Sequence, residues 1–246
     1  MKKIIVFLLI AALCVPGLFS CQAPDGTSTI PSTIPTVNNQ ELTPVQSVAA
    51  MYRVSQPTKV VAHTEQVIVE EVLSLECHYE IVTGYVDNTA ASVYKADIQE
   101  IRSIEEGGQN EEVKELIKSY SRVVESIEGI GSRTNGGDWD AEGTVWTIGR
   151  GRMSIKLDDA NVKNVKYENH VLTCVIPLAK VAKVLGETYA QDIDSDVALT
   201  IVDDGAVVTS IQLSYYLKAN EEANLDRTVM YVKVDYTYDI EKITIE

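Results

Sequence analysis

Apolar residues fall at every second position in two stretches near the C-terminus. Val207, Thr209, Ile211, Leu213, Tyr215 and Leu217 share one parity, with Ser210, Gln212 and Ser214 between them. Met230, Val232, Val234, Tyr236 and Tyr238 repeat the pattern around Lys233, Asp235 and Thr237. A period of two predicts antiparallel strands with one covered face and one wet face. Val197–Val202 and Ala206–Leu217 flank Asp203-Asp204-Gly205, a hairpin signal. Val162–Tyr167 and Val171–Ile176 form a second hairpin, turning at Glu168-Asn169-His170. Upstream, Thr58–Glu70 and Val72–Val86 are β-branched and partly alternating, and Asp87-Asn88 is turn chemistry. Ala91–Ile104 fits either a helix or a third long strand, and hairpin logic favours the strand. Further strands are expected over Thr144–Ile148, Met153–Leu157, Thr228–Tyr238 and Ile243–Ile245.

One segment reads differently. In Asn110–Glu128, Val113, Leu116, Ile117, Tyr120, Val123, Val124 and Ile127 recur at steps of three and four. That spacing predicts an amphipathic helix, with Asn110 as N-cap, Glu111 and Glu112 in its first turn and Gly129 as its stop. Pro177–Leu185 predicts a short second helix, opened by proline and closed by Gly186.

Composition adds a compartment and removes a partner. The chain has 246 residues and a formal charge of −15, so it lacks the basic face that a nucleic acid requires. Lys2 and Lys3 precede an apolar run from Ile4 to Val15, and Leu18-Phe19-Ser20-Cys21 follows. A basic start and a dozen apolar residues describe an export signal, too short for a permanent span. The four residues ending at Cys21 resemble the lipobox of bacterial lipoproteins. That resemblance implies cleavage after residue 20 and acyl chains on Cys21, which would anchor the chain in the cell membrane or outer membrane, facing away from the cytoplasm. Losing Lys2 and Lys3 would move the charge from −15 to −17. Such an acidic body is repelled by anionic headgroups and should stand off on a tether. Residues 21–57 supply one, since Gln22 to Pro44 is mostly Thr, Ser, Pro, Asn and Gln. The expected organisation is a leader (1–20), a tether (21–57) and one β-rich head (58–246). Both phenylalanines lie in the leader, so the head must build its core from Tyr, Trp and aliphatic residues.

The order of lipobox, tether, long strands, helix, hairpins and a Tyr-rich last strand resembles the LolA/LppX type of envelope lipoprotein. The resemblance covers residues 58–246 and rests on element order. It implies an α+β head: a large curved antiparallel sheet, an incompletely closed barrel, with one long and one short helix on one side. It further implies a non-enzymatic binding head that holds a lipid or other apolar ligand between sheet and helices. Val113, Leu116, Ile117, Tyr120 and Val124 from the helix, with Leu213, Tyr215, Val234 and Tyr236 from the strands, would border that space. The same nine positions also describe a plain core. In that case the head would be a structural or protein/glycan interaction module, offering Trp139 or Trp146.

A search for chemistry returns little. GxSxG, HExxH, P-loop and CxxC patterns are all missing, so neither catalysis nor a cofactor is expected. Cys77 and Cys174 either pair as a disulfide or stand reduced and buried. His63, His78 and His170 show neither ligand spacing nor an obvious partner, so no metal is expected there. Asp192, Asp194 and Asp196 alternate as calcium ligands can, but Val197 stands where a calcium loop needs glycine. A solvated acidic loop is therefore the expected reading, and no metal is expected there.

Overall fold

The computed structural model describes residues 42–54, 56–68, 73–106, 111–143, 153–218, 228–239 and 242–245. The leader, Cys21 and Trp146 lie outside these, as does the strand expected over Thr144–Ile148. Among the described residues no helix is long and apolar enough to cross a membrane.

Among the described residues, ten strands form one antiparallel sheet in the order β5-β4-β3-β2-β1-β10-β9-β8-β7-β6. In chain order they are β1 (Lys59–Ile68), β2 (Leu73–Val86), β3 (Thr89–Glu106), β4 (Glu111–Ile127), β5 (Gly131–Thr134), β6 (Lys163–Glu168), β7 (Val171–Ile176), β8 (Val197–Asp203), β9 (Val208–Leu217) and β10 (Thr228–Thr237). The sheet is two five-stranded meanders, β1–β5 and β6–β10, joined along the β1–β10 seam, where Lys59 faces Thr237 and Ile68 faces Thr228. It is open, with β5 and β6 at its edges.

Turn chemistry sets the register. Asp87 and Asn88 have φ of 48° and 67°, and Asn169 and His170 have 50° and 64°. Two consecutive left-handed residues make the tight hairpin turn whose twist matches its strands, and Asn and Asp tolerate that conformation best. In the third hairpin, the Asp203 carboxylate accepts from Gly205 N–H, and that of Asp204 accepts from Ala206 and Val207 N–H. The ladder slips there: Asp203 pairs with Val208 and Val202 with Ser210. Val208, rather than Val207 or Thr209, is therefore fully buried, and the alternation read from the sequence begins only at Ile211.

The largest correction concerns Asn110–Glu128. Glu111–Ile127 is not a helix but β4, paired with β3 from Ala91↔Ile127 to Glu106↔Glu111. Val, Ile, Tyr and Ser suit a strand as well as a helix. An 18-residue partner, β3, runs beside β4 along its whole length. As a strand, its steps of three and four scatter the apolar residues over both faces, so no single stripe exists. The reading of Ala91–Ile104 as strand agrees with β3.

A second correction moves the start of the head. Residues 44–54, which composition assigned to the tether, form helix α1 (Pro44–Val54). Its Val45, Val48, Ala49 and Tyr52 join the core. Thr43 and Gln46 cap it reciprocally: Gln46 N–H donates to Thr43 Oγ1, and Thr43 N–H donates to Gln46 Oε1. Helix α2 (Leu178–Leu185) matches its expectation, burying Val181, Val184 and Leu185, and a single turn α3 (Glu187–Ala190) follows. The expected strand over Met153–Leu157 has no ladder. It is an extended run whose Met153, Ile155 and Leu157 are buried, and Lys156 N–H donates to Val184 O at the end of α2. At the C-terminus, Ile243–Ile245 is likewise no strand; only Lys242 bridges to Tyr85.

Candidate functional site

The helices cover one face of the sheet, and they cover it unevenly. Helix α1 contacts β7 and β9, and α2 contacts β7. Beneath them lies a continuous core that includes Leu172, Ile176, Leu199, Ile201, Ile211, Leu213, Tyr215, Val234 and Tyr236. Tyrosine does the work that phenylalanine does elsewhere. The Tyr52 and Tyr236 rings lie 6.2 Å apart, and the Tyr52 hydroxyl donates to Met153 O, so the phenol is both packed and satisfied. Leu213, Tyr215, Val234 and Tyr236 from the expected set are therefore core residues, each 6% exposed or less.

Followed across the sheet, the same face runs out from under its cover. One row of register reads Cys174, Leu199, Leu213, Val232, Thr64, Cys77, Ile98 and Tyr120. Its first six members are buried, Ile98 is half-buried, and Tyr120 is 53% exposed. On β4 the same face carries Lys118 two residues before Tyr120 and Arg122 two after, both exposed. On the shelf of this β3–β4 wing, Ile98 and Tyr120 lie between two cations, Lys118 facing Glu100 and Arg122 facing Ala96, on a chain whose acids outnumber its bases 36 to 21.

The remaining expected residues are not brought together. Val124 sits on the shelf side, half-buried against the core. A bulge between Glu100 and Ile101 leaves Ile117 unpaired and turns Leu116 to the opposite face, beside Ile101. Leu116 and Ile117 are 55% and 42% exposed. Val113 pairs with Ile104 in the ladder. The closed space between a long helix and the sheet is thus replaced by an open shelf. Sequence reasoning could have found it from Lys118-x-Tyr120-x-Arg122, which reads as one strand face once β4 is a strand.

Cys77 and Cys174 are both buried and are not joined to each other. They stand five strand steps apart in that row, about 24 Å along the sheet, whereas a disulfide needs Cα atoms within about 7 Å. Burial pushes the Cys174 thiol up to about 11. Among the described residues, Asp192, Asp194 and Asp196 do not come together as one ligand set. Asp196 instead accepts from Lys163 Nζ at 2.6 Å and from Leu178 N–H at 2.8 Å, holding the start of α2. Those two bonds, Lys163 first, hold its carboxyl below the usual range. Trp139 has one ring face under Arg133, 5.1 Å from its centroid.

His170 does have a partner. Asp203, whose carboxylate is fully buried, lies 3.0 Å from His170 Nδ1 and accepts from the Tyr167 hydroxyl at 3.0 Å. Burial, then the bond to Asp203, raises the Tyr167 phenol above 10.0. Because Asp203 N–H also donates to His170 O, this cluster staples two hairpin turns together.

The uncovered face bears a shallow depression of about 190 Å³, bordered by His63, Thr200, Gln212, Ser214, Tyr231 and Lys233. Polar side chains rim it, but Ala198, Leu213 and Val232 also line it, and most of its exposed lining is apolar. No family model matches the chain, and no curated protein matches it. Among solved structures it is similar to LprF from Mycobacterium bovis, with 8% identity and a TM-score of 0.35, over 82% of this chain and 94% of that one. A likeness that loose transfers no chemistry.

Proposed function

We propose that this chain is a lipid-anchored envelope lipoprotein whose head is a non-enzymatic binding module for an anionic amphiphile, such as a fatty acid or an acidic lipid. The observation that carries the reading is the wing. A face that is apolar and buried through six strands emerges uncovered at Ile98 and Tyr120, between Lys118 and Arg122. An acyl chain laid along Ile98 and Tyr120 extends that apolar surface and leaves water. Its acidic head reaches a cation on either side, the type of pairing that fixes orientation in such sites.

The test is photocrosslinking in the membrane, with the full chain and a diazirine-bearing fatty acid. Label should map to the β4 peptide around Tyr120, fall on Tyr120→Asp, and fall with Lys118→Glu plus Arg122→Glu. Label spread evenly over the chain, or unchanged in both variants, overturns the reading. The packed core beneath α1 and α2 favours a second reading, a protein interaction module, and crosslinks from the wing to another protein would support it instead. The anchor is tested separately, since Cys21→Ala should leave the membrane fraction or stall in processing.

A further inference from the structure

On the face away from the helices, the β1–β2 register sets His63 directly opposite His78. Glu76, two residues before His78 on the same strand, shares that face and lies opposite Glu65. The His63 and His78 rings are 4.2 Å apart, and His63 Nδ1 is 3.1 Å from ring nitrogens of His78. Glu76 Oε2 lies 3.7 Å from His78 Nε2. One ligand atom from each of the three residues can be chosen so that all lie within 4.8 Å of one another. We propose that His63, His78 and Glu76 form a site for a divalent transition-metal ion of the zinc class.

The geometry is close to what such an ion requires. With metal–nitrogen bonds of about 2.0–2.1 Å and tetrahedral angles, two ligating nitrogens stand about 3.3 Å apart. The histidine nitrogens already sit at 3.1 Å, and small side-chain rotations bring in the carboxylate from 3.7 Å. Two imidazoles and one carboxylate select borderline metals such as Zn²⁺, Cu²⁺ or Ni²⁺ over Ca²⁺ and Mg²⁺, which prefer all-oxygen shells. The scaffold is rigid where it matters, because both histidines project from paired strands and the Glu76 side chain is only 15% exposed. Around the three ligands, Glu65, Asp97 and Lys233 face the site from β1, β3 and β10. Lys233 is turned to Asp235 at 2.8 Å, and Asp97 accepts from Ser121 at 2.5 Å.

Three protein ligands leave a fourth position open. His63 also borders the depression rimmed by Gln212, Ser214 and Tyr231, so the open position adjoins a space large enough for a water. This reverses the expectation that the histidines hold no metal. That expectation followed from spacing along the chain, whereas the pair is made across strands.

The experiment uses the full chain in dodecyl maltoside with Co²⁺ as the spectroscopic probe and Zn²⁺ as competitor. One equivalent of Co²⁺ should give the visible absorption of a tetrahedral nitrogen/oxygen site, and Zn²⁺ should displace it. His63→Asn and His78→Asn should each weaken binding at least tenfold, and Glu76→Gln should weaken it less. His170→Asn, on the Asp203 staple, should leave it unchanged. Far-UV circular dichroism and denaturant midpoints of the metal-free variants separate lost ligands from lost folding. An absent tetrahedral spectrum, or equal affinity in the His63→Asn/His78→Asn double variant, overturns the site. Neither outcome bears on the amphiphile shelf, which lies on the other face.

Discussion

Strands β9 and β4 occupy one sheet, yet they obey different rules. Along β9, from Ile211 to Tyr215, burial alternates with the sequence, and helices press on one side. Along β4, residues 115–122 are exposed on both faces, and burial returns only towards Ser126. Periodicity is a record of one-sided covering. Where a helix lies on a strand, selection for burial writes a period of two into it. Where nothing lies on it, the spacing of apolar residues is free to drift, and in β4 it drifted into a helical pattern. The strand is held there by its ladder to β3 and not by a core.

That contrast breaks most decisively if both strands respond alike to truncation. Ile211→Ala, at a fully buried position, should cost about 2–5 kcal/mol in the denaturant midpoint, whereas Leu116→Ala on the wing should stay within about 0.5 kcal/mol. A large loss at Leu116 would mean that something covers the wing. Next in size comes the hairpin staple of the packed half. Asp203→Asn weakens or removes acceptors for Tyr167 and His170 in a buried setting, and should cost about 1–3 kcal/mol. Chemical unfolding of the variant against wild type reads that difference.

The cysteines sharpen the comparison without altering stability. Cys174 belongs to the main core and Cys77 does not, so local opening should expose Cys77 first. Peptide mapping after iodoacetamide should find Cys77 modified faster, and dithiothreitol should leave the midpoint where it was. The smallest effect is an acid limb. The carboxyl of Asp196 is held below its ordinary value, so its contribution is complete above about 3.8 and is lost as pH falls through the lower folded value. The gap in midpoint between wild type and Asp196→Asn should therefore shrink as the solution is acidified below that point.

How much was legible follows from the same contrast. Hairpins at Asp87-Asn88, Asn169-His170 and Asp203–Gly205 were readable because left-handed residues and Asx chemistry are local. Helix α2 was readable from Pro177 and Gly186. Helix α1 carried a signature too, Thr43-x-x-Gln46 followed by Val45, Val48, Ala49 and Tyr52, but a polar tract upstream outweighed it. The His63–His78 pair was invisible in the sequence. Their fifteen-residue separation acquires meaning only when the β1–β2 register is known. The shelf was misplaced for a related reason, since Tyr120 was assigned to the wrong kind of element.

The seam between β1 and β10 has a consequence for how the chain reaches this state. Each meander consists of neighbours in sequence and can zip up from its turns, which is fast. The centre of the sheet is different, because Lys59 must find Thr237 across nearly the whole chain. Closing that loop is an entropic bottleneck, and it cannot begin until β10 has been made. Until then β1 presents a bare edge on the side that β10 will take. The chain's excess of acid then has a second use: mutual repulsion keeps such half-finished molecules from pairing with one another before the seam is sealed.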